Sequence, residues 1–112
     1  MYNEGTIIAL SSAPGSGAIA IIRLSGEEAI SKTDLFFKSK SRKKLSESSG
    51  YSISYGDLVD NDEIIDEVVV SVYKAPHSYT GENIIEISCH GSIYIQQRIL
   101  SLYTNAGVRL AS

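Results

Sequence analysis

Two charged residues in this 112-residue chain interrupt runs that otherwise read as apolar β-strands. Glu86 sits inside Ile84-Ile85-Glu86-Ile87, and Arg23 follows Ile19-Ala20-Ile21-Ile22. Side chains alternate along a strand, so Glu86 shares a face with Ile84 and Ser88, and Arg23 with Ile19 and Ile21. An unpaired buried charge costs on the order of 3–5 kcal/mol, so each needs a partner. Two readings fit this pattern. The pair forms a structural salt bridge, or a carboxylate and a guanidinium line a pocket for a polar heterocycle.

Three other constellations have blander explanations. Cys89 and His90 are adjacent on a strand and point to opposite faces, so they form no thiol–imidazole pair unless the chain turns. With His77 they make poor zinc spacing, and Cys89 reads as a small buried hydrophobe. His90-Gly91 reads as the shaper of a strand-to-helix turn. The stretch Pro14-Gly15-Ser16-Gly17 lacks the Gly-Lys-Ser/Thr ending that meets phosphate and magnesium, and Ala18 and Ile19 lead into another strand. The basic run Lys38, Lys40, Arg42, Lys43 and Lys44 could meet RNA phosphate, but without interleaved aromatics it reads first as a solvated loop.

The elements that must position these residues are set by periodicity. Residues 5–11 and 18–24 predict two Ile-rich strands. Ser25 and Glu28 have capping-box spacing, which predicts a helix starting near Gly26, with Ala29, Ile30, Thr33, Phe36 and Phe37 on its apolar side. Residues 38–50 read as an exposed excursion. Further strands are predicted over 51–58, 65–73 and 82–89, with an acidic turn at 60–63. Ser92 predicts the cap of a second helix whose face is Ile95, Ile99, Leu102, Tyr103 and Ala106, ending near Gly107. Residues 108–111 begin a further element. The order predicts an α+β fold with a mixed, largely antiparallel sheet and two helices.

Composition sets the remaining bounds. The length suits one domain with one modest core. Ten basic against 13 acidic residues give a net charge of −3, which does not suggest a general polyanion binder. The single cysteine allows no internal disulfide and fits a reducing compartment. No apolar run is long enough to span a bilayer, and residues 1–20 lack the basic start and apolar centre of a signal peptide, so a cytoplasmic location is expected.

Four segments together resemble one family: GTIIALSSAPGSGAIAIIRLSG (5–26), IIDEVVVSVYKAPHSYTGENIIEISCHGS (64–92), QRIL (97–100) and GVRLA (107–111). This combination is similar to the N-terminal domain of the MnmE (TrmE) tRNA-modification GTPases. The resemblance spans nearly the whole chain outside 38–50. The family usually has Gly-Gly after the histidine, where this chain has Gly91-Ser92.

The resemblance implies a single N-terminal folate-binding and dimerisation domain over residues 1–112, similar in fold to the folate-binding part of aminomethyltransferases. It implies a helical domain beyond this one, carrying an inserted G domain that binds GTP, magnesium and potassium. It further implies action on tRNA wobble uridine (U34) with a flavoprotein partner. Within this chain it implies that Arg23 and Glu86 bind 5-formyl-tetrahydrofolate, with Tyr79 and Thr80 at the pocket edge and a further basic contact downstream of Ser112. No catalytic or metal-binding residue is expected here. The alternatives are a stand-alone one-carbon transferase and a structural dimer module without ligand.

Overall fold

The computed structural model describes residues 5–12, 15–75 and 81–111. Strand β1 (Ile7–Leu10) and β2 (Ile19–Ser25) are followed by helix α1 (Ala29–Phe36) and a short β3 (Phe37–Ser39). After a 3-10 turn at Leu45–Glu47 come β4 (Ser52–Asp60), β5 (Glu63–Tyr73) and β6 (Ile84–His90). Helix α2 (Ile93–Asn105) and β7 (Arg109–Leu110) complete the order. Among the described residues the strands form one seven-stranded sheet in the order β3-β4-β5-β6-β2-β1-β7. Every neighbouring pair is antiparallel except β1 with β7. The expected α+β class, with a mixed, mostly antiparallel sheet and two helices, is the observed one.

Alternation divides the sheet into two unlike faces. Ala20, Ile22 and Leu24 of β2, Val68, Val70 and Val72 of β5, and Ile85, Ile87 and Cys89 of β6 are all buried in one core. Both helices supply the other side of it, through Ala29 and Ile30 of α1 and Ile99, Leu102 and Tyr103 of α2. The opposite face carries no helix among the described residues, and Ile19, Tyr51, Ile53, Tyr55 and Val69 lie exposed there.

Helix α2 starts as its sequence predicts, with Ser92 Oγ accepting from the Ile95 N–H at 3.3 Å. Gly91 just ahead of it is required by close approach. A Cβ there would lie 2.0 Å from the Gly17 carbonyl oxygen, because the two backbones are bonded through Gly17 N–H to Gly91 O and Gly91 N–H to Ala18 O. Gln96 adds a bridge, donating from Nε2 to the carbonyls of Gly15 and Gly91.

Two expectations are corrected. Helix α1 begins at Ala29 without the Ser25–Glu28 capping box. Ser25 is still in β2, its hydroxyl donates to Glu82, and Thr6 Oγ1 accepts the Glu28 N–H instead. Phe37 leaves the helix and opens β3, pairing with Leu58. The 38–50 segment is exposed over most of its length, as expected, but it is a folded strap: residues 37–39 join the sheet, and Leu45 is buried. Residues 108–111 prove to include β7, which runs parallel to β1.

Candidate functional site: a charged pair on the open sheet face

Arg23 and Glu86 are direct cross-strand partners in the antiparallel pair of β2 and β6. Each lies on the face that carries no helix among the described residues, and their mutual contact with partial exposure is why both charges are tolerated. Arg23 donates from Nε (3.0 Å) and Nη2 (2.5 Å) to the same oxygen, Oε2 of Glu86. Their side chains retain 39% and 20% exposure, so the pair is partly desolvated but open to a ligand. Among the described residues no side chain or backbone N–H donates to the other carboxylate oxygen, Oε1.

The neighbours in this row leave room. Ala9 of β1 opposes Arg23, and Ser71 of β5 opposes Glu86. One row along, Ser88 faces Ile21. Small side chains thus flank the carboxylate on its own and the neighbouring strand. Ser71 and Ala9 had no signal in the sequence, since their importance comes only from strand register. A hollow of about 180 Å³ on the same face lies beside the pair rather than on it, between Ile19, Tyr55, Val69 and Ser88.

Cys89 and His90 diverge as expected. Cys89 is buried, and burial, reinforced by the nearby Asp66 carboxylate, pushes its thiol up to about 11. That opposes the thiolate needed for nucleophilic chemistry. His90 turns outward to Asp66 of β5, whose oxygens receive the His90 backbone N–H at 2.8 Å and lie 2.7 Å from Nδ1. This contact pins the end of β6 where the chain turns into α2. Tyr79, Thr80 and His77 lie outside the described residues, as does Pro14 of the glycine-rich loop. That loop leads into strand β2, not into a helix.

An α+β module presenting a charged pair on the sheet face that carries no helix among the described residues is the class of protein that the fold and site define. The chain belongs to the family described as "GTP-binding protein TrmE N-terminus", which matches residues 6–112. It is 50% identical over 111 residues to a Flavobacterium johnsoniae protein named tRNA modification GTPase MnmE, covering 99% of this chain and 24% of that protein. Proteins of the same name from Parabacteroides distasonis (50% over 108 residues; 95% and 23% covered) and Clostridioides difficile (46% over 111 residues; 99% and 24%) are similar. The chain spans about a quarter of the length of these relatives. No helix among the described residues is long and apolar enough to cross a membrane.

Proposed function

We propose that this chain is the tetrahydrofolate-binding and homodimerising N-terminal domain of a tRNA-modification GTPase acting on the wobble uridine (U34). Arg23 and Glu86 hold 5-formyl-tetrahydrofolate. The observation that carries this reading is the geometry of Glu86: Arg23 fixes one carboxylate oxygen and leaves the other open, in a row flanked by Ala9 and Ser71. A pterin ring presents an amino group and a ring N–H side by side, and a carboxylate accepts such paired donors through charge-assisted bonds. The guanidinium orients that carboxylate and supplies donors to a ring carbonyl or the formyl oxygen. Tyr79 and Thr80 form the pocket edge in this reading.

The parent protein, by the same reading, hydrolyses GTP with magnesium and potassium in a separate domain, meets tRNA together with a flavoprotein partner, and works in the cytoplasm. The names its relatives carry support the GTPase and tRNA parts of this reading. The open face, with Ile19 and Ile53 exposed, supports pairing with a second copy.

One observation favours the ligand-free alternative. The Arg23–Glu86 contact already satisfies both charges, as a structural salt bridge would. Calorimetric titration with 5-formyl-tetrahydrofolate separates the two. Saturable binding is expected, and the absence of heat up to about millimolar ligand, equivalent to less than ~4 kcal/mol of binding free energy, overturns the folate reading.

A further inference from the structure

Half of the chain's positive charge is concentrated at one edge of the sheet: five of its ten basic residues fall within residues 38–44, although the chain as a whole is acidic. All five are exposed. Lys40 pairs with Asp57 at 3.6 Å. Among the described residues Lys38, Arg42, Lys43 and Lys44 enter no ion pair. The nearest carboxylates are already engaged. Asp34 accepts the Leu45 and Ser46 N–H groups on its two oxygens (2.7 and 3.1 Å), and Glu47 accepts the Lys44 N–H at 3.4 Å. A cleft of about 250 Å³ opens between α1, β3 and the strap, bordered by the four unpaired cations with Asp34 and Ser39.

The strap is held in place, which distinguishes it from a solvated charge run. Strand β3 fixes its start through Lys38 opposite Asp57 and Ser39 opposite Gly56. Leu45 anchors its end at 1% exposure, and Lys74 Nζ donates to the carbonyls of Ser46 and Ser48. Arg42 turns the backbone through the left-handed region, φ 67°, closed by its N–H to Ser39 O at 3.0 Å. Fixing a flexible backbone costs conformational entropy, and here the fold has already met that cost before any partner arrives.

We infer that the strap is a docking surface for the phosphate backbone of RNA, centred on Lys38, Arg42, Lys43 and Lys44. Pre-positioned cations without carboxylate partners fit a polyanion whose charges are regularly spaced and whose condensed counterions are released on contact. Residues 38–44 carry no apolar side chain to insert into a bilayer, so a lipid surface fits less well. The inference rests on the assignment to a tRNA-modifying protein, since that supplies the RNA. It adds a contact surface remote from Arg23 and Glu86: β3 lies three sheet positions from β6 and four from β2, about 14 and 19 Å at ~4.8 Å per strand.

The test is fluorescence anisotropy of the chain with a labelled, unmodified tRNA transcript across about 20–200 mM salt, beside the 5-formyl-tetrahydrofolate titration. Four phosphate contacts predict a slope of log affinity against log salt of about −3. The triple substitution Arg42→Gln/Lys43→Gln/Lys44→Gln should bring the slope to about −1 and weaken tRNA binding at least tenfold at the lowest salt, by roughly one counterion per charge. Folate binding should not change. The charge reversal Lys43→Glu/Lys44→Glu should abolish tRNA binding in a protein with the wild-type circular dichroism spectrum. Undiminished tRNA binding by the triple variant, no binding by wild type, or binding to anionic phosphatidylserine vesicles in place of tRNA would each overturn the inference. Absence of folate binding by the wild-type chain, with tRNA binding intact, would instead sink the folate reading and leave the strap in place.

Discussion

Arg23 places two nitrogens on one oxygen of Glu86, its directly opposed partner across β2 and β6. The contact therefore has a free side, Oε1, and a fixed side, Oε2. The substitution Glu86→Gln keeps the volume but offers a donor where the pterin also donates. Charge-assisted hydrogen bonds contribute about 1.5–3 kcal/mol each, so affinity for 5-formyl-tetrahydrofolate should fall tenfold or more. Because the pair is partly exposed, the fold itself should lose no more than ~1 kcal/mol. Wild-type affinity in the folded variant would show that Glu86 is not the ligand carboxylate.

Self-association should run through the open face. Ile19 is 66% exposed and Ile53 59%, on strands whose other faces are packed against the core. A dimer is expected in sedimentation equilibrium at about 10–50 µM, a range that reveals affinities of about 6 kcal/mol or stronger. Ile53→Lys should shift it towards monomer without loss of secondary structure. A dimer untouched by this substitution would place the interface elsewhere, and a monomeric wild type would remove the proposal.

The helices are coupled by a buried hydroxyl chain. Tyr103 of α2 donates to Thr33 Oγ1 of α1 at 3.0 Å, and Thr33 donates on to the Ala29 carbonyl at 2.8 Å. The Tyr103 ring also meets Phe36 edge-on, with centroids 5.3 Å apart. Tyr103→Phe keeps the ring and removes one hydrogen bond, costing about 1 kcal/mol. Thr33→Val strands the phenol hydrogen in the core and should cost more, about 1–3 kcal/mol. Urea denaturation of both variants checks the order. A more stable Thr33→Val protein would mean that the chain of hydroxyls contributes nothing to the packing of α1 on α2.

Cys89 should make stability fall at alkaline pH. Its thiol is raised from 9.0 to about 11 in the fold, so above pH 9 the unfolded chain loses a proton that the native protein keeps. The unfolded state then binds fewer protons, and stability declines as pH rises from about 9 to 11. At about 1.4 kcal/mol for each pH unit, the decline approaches 2–3 kcal/mol. Burial raises Tyr103 as well, adding a second decline from its ordinary value of 10.0. Cys89→Ala should flatten the first part of the curve, measured as the urea midpoint at pH 8, 9 and 10. An identical pH dependence in the variant would refute the role of Cys89.

The long strands and α2 were legible because each keeps one period for many residues. Arg23 and Glu86 stood out for the same reason, as breaks in a regular pattern. The identity of their face was not legible, because isoleucine occupies both faces of β2 and only the placement of the helices decides which is covered. Strand β3 is three residues long and carries no periodicity, so Phe37 read as the last apolar position of α1. The Ser25–Glu28 spacing misled because Ser25 pairs with Ile7 and Ile84 inside the sheet, and Thr6, far away in sequence, accepts the Glu28 N–H. Leu45, alone among lysines and serines, was the one sign that the strap is anchored.

The Arg23–Glu86 contact joins residues 63 positions apart in the chain, and this separation matters during synthesis. A ribosome adds about 5–20 residues per second, so β6 emerges roughly 3–13 s after β2. Through that interval β1 and β2 can form a local hairpin, yet Ala20, Ile22 and Leu24 have neither α2 nor β6 to cover them. Strand β2 is therefore a nascent-chain hazard, an Ile-rich edge awaiting its partner. Arg23 is the charge on that waiting edge. Before it meets Glu86, it already opposes the in-register stacking of one nascent hairpin on another.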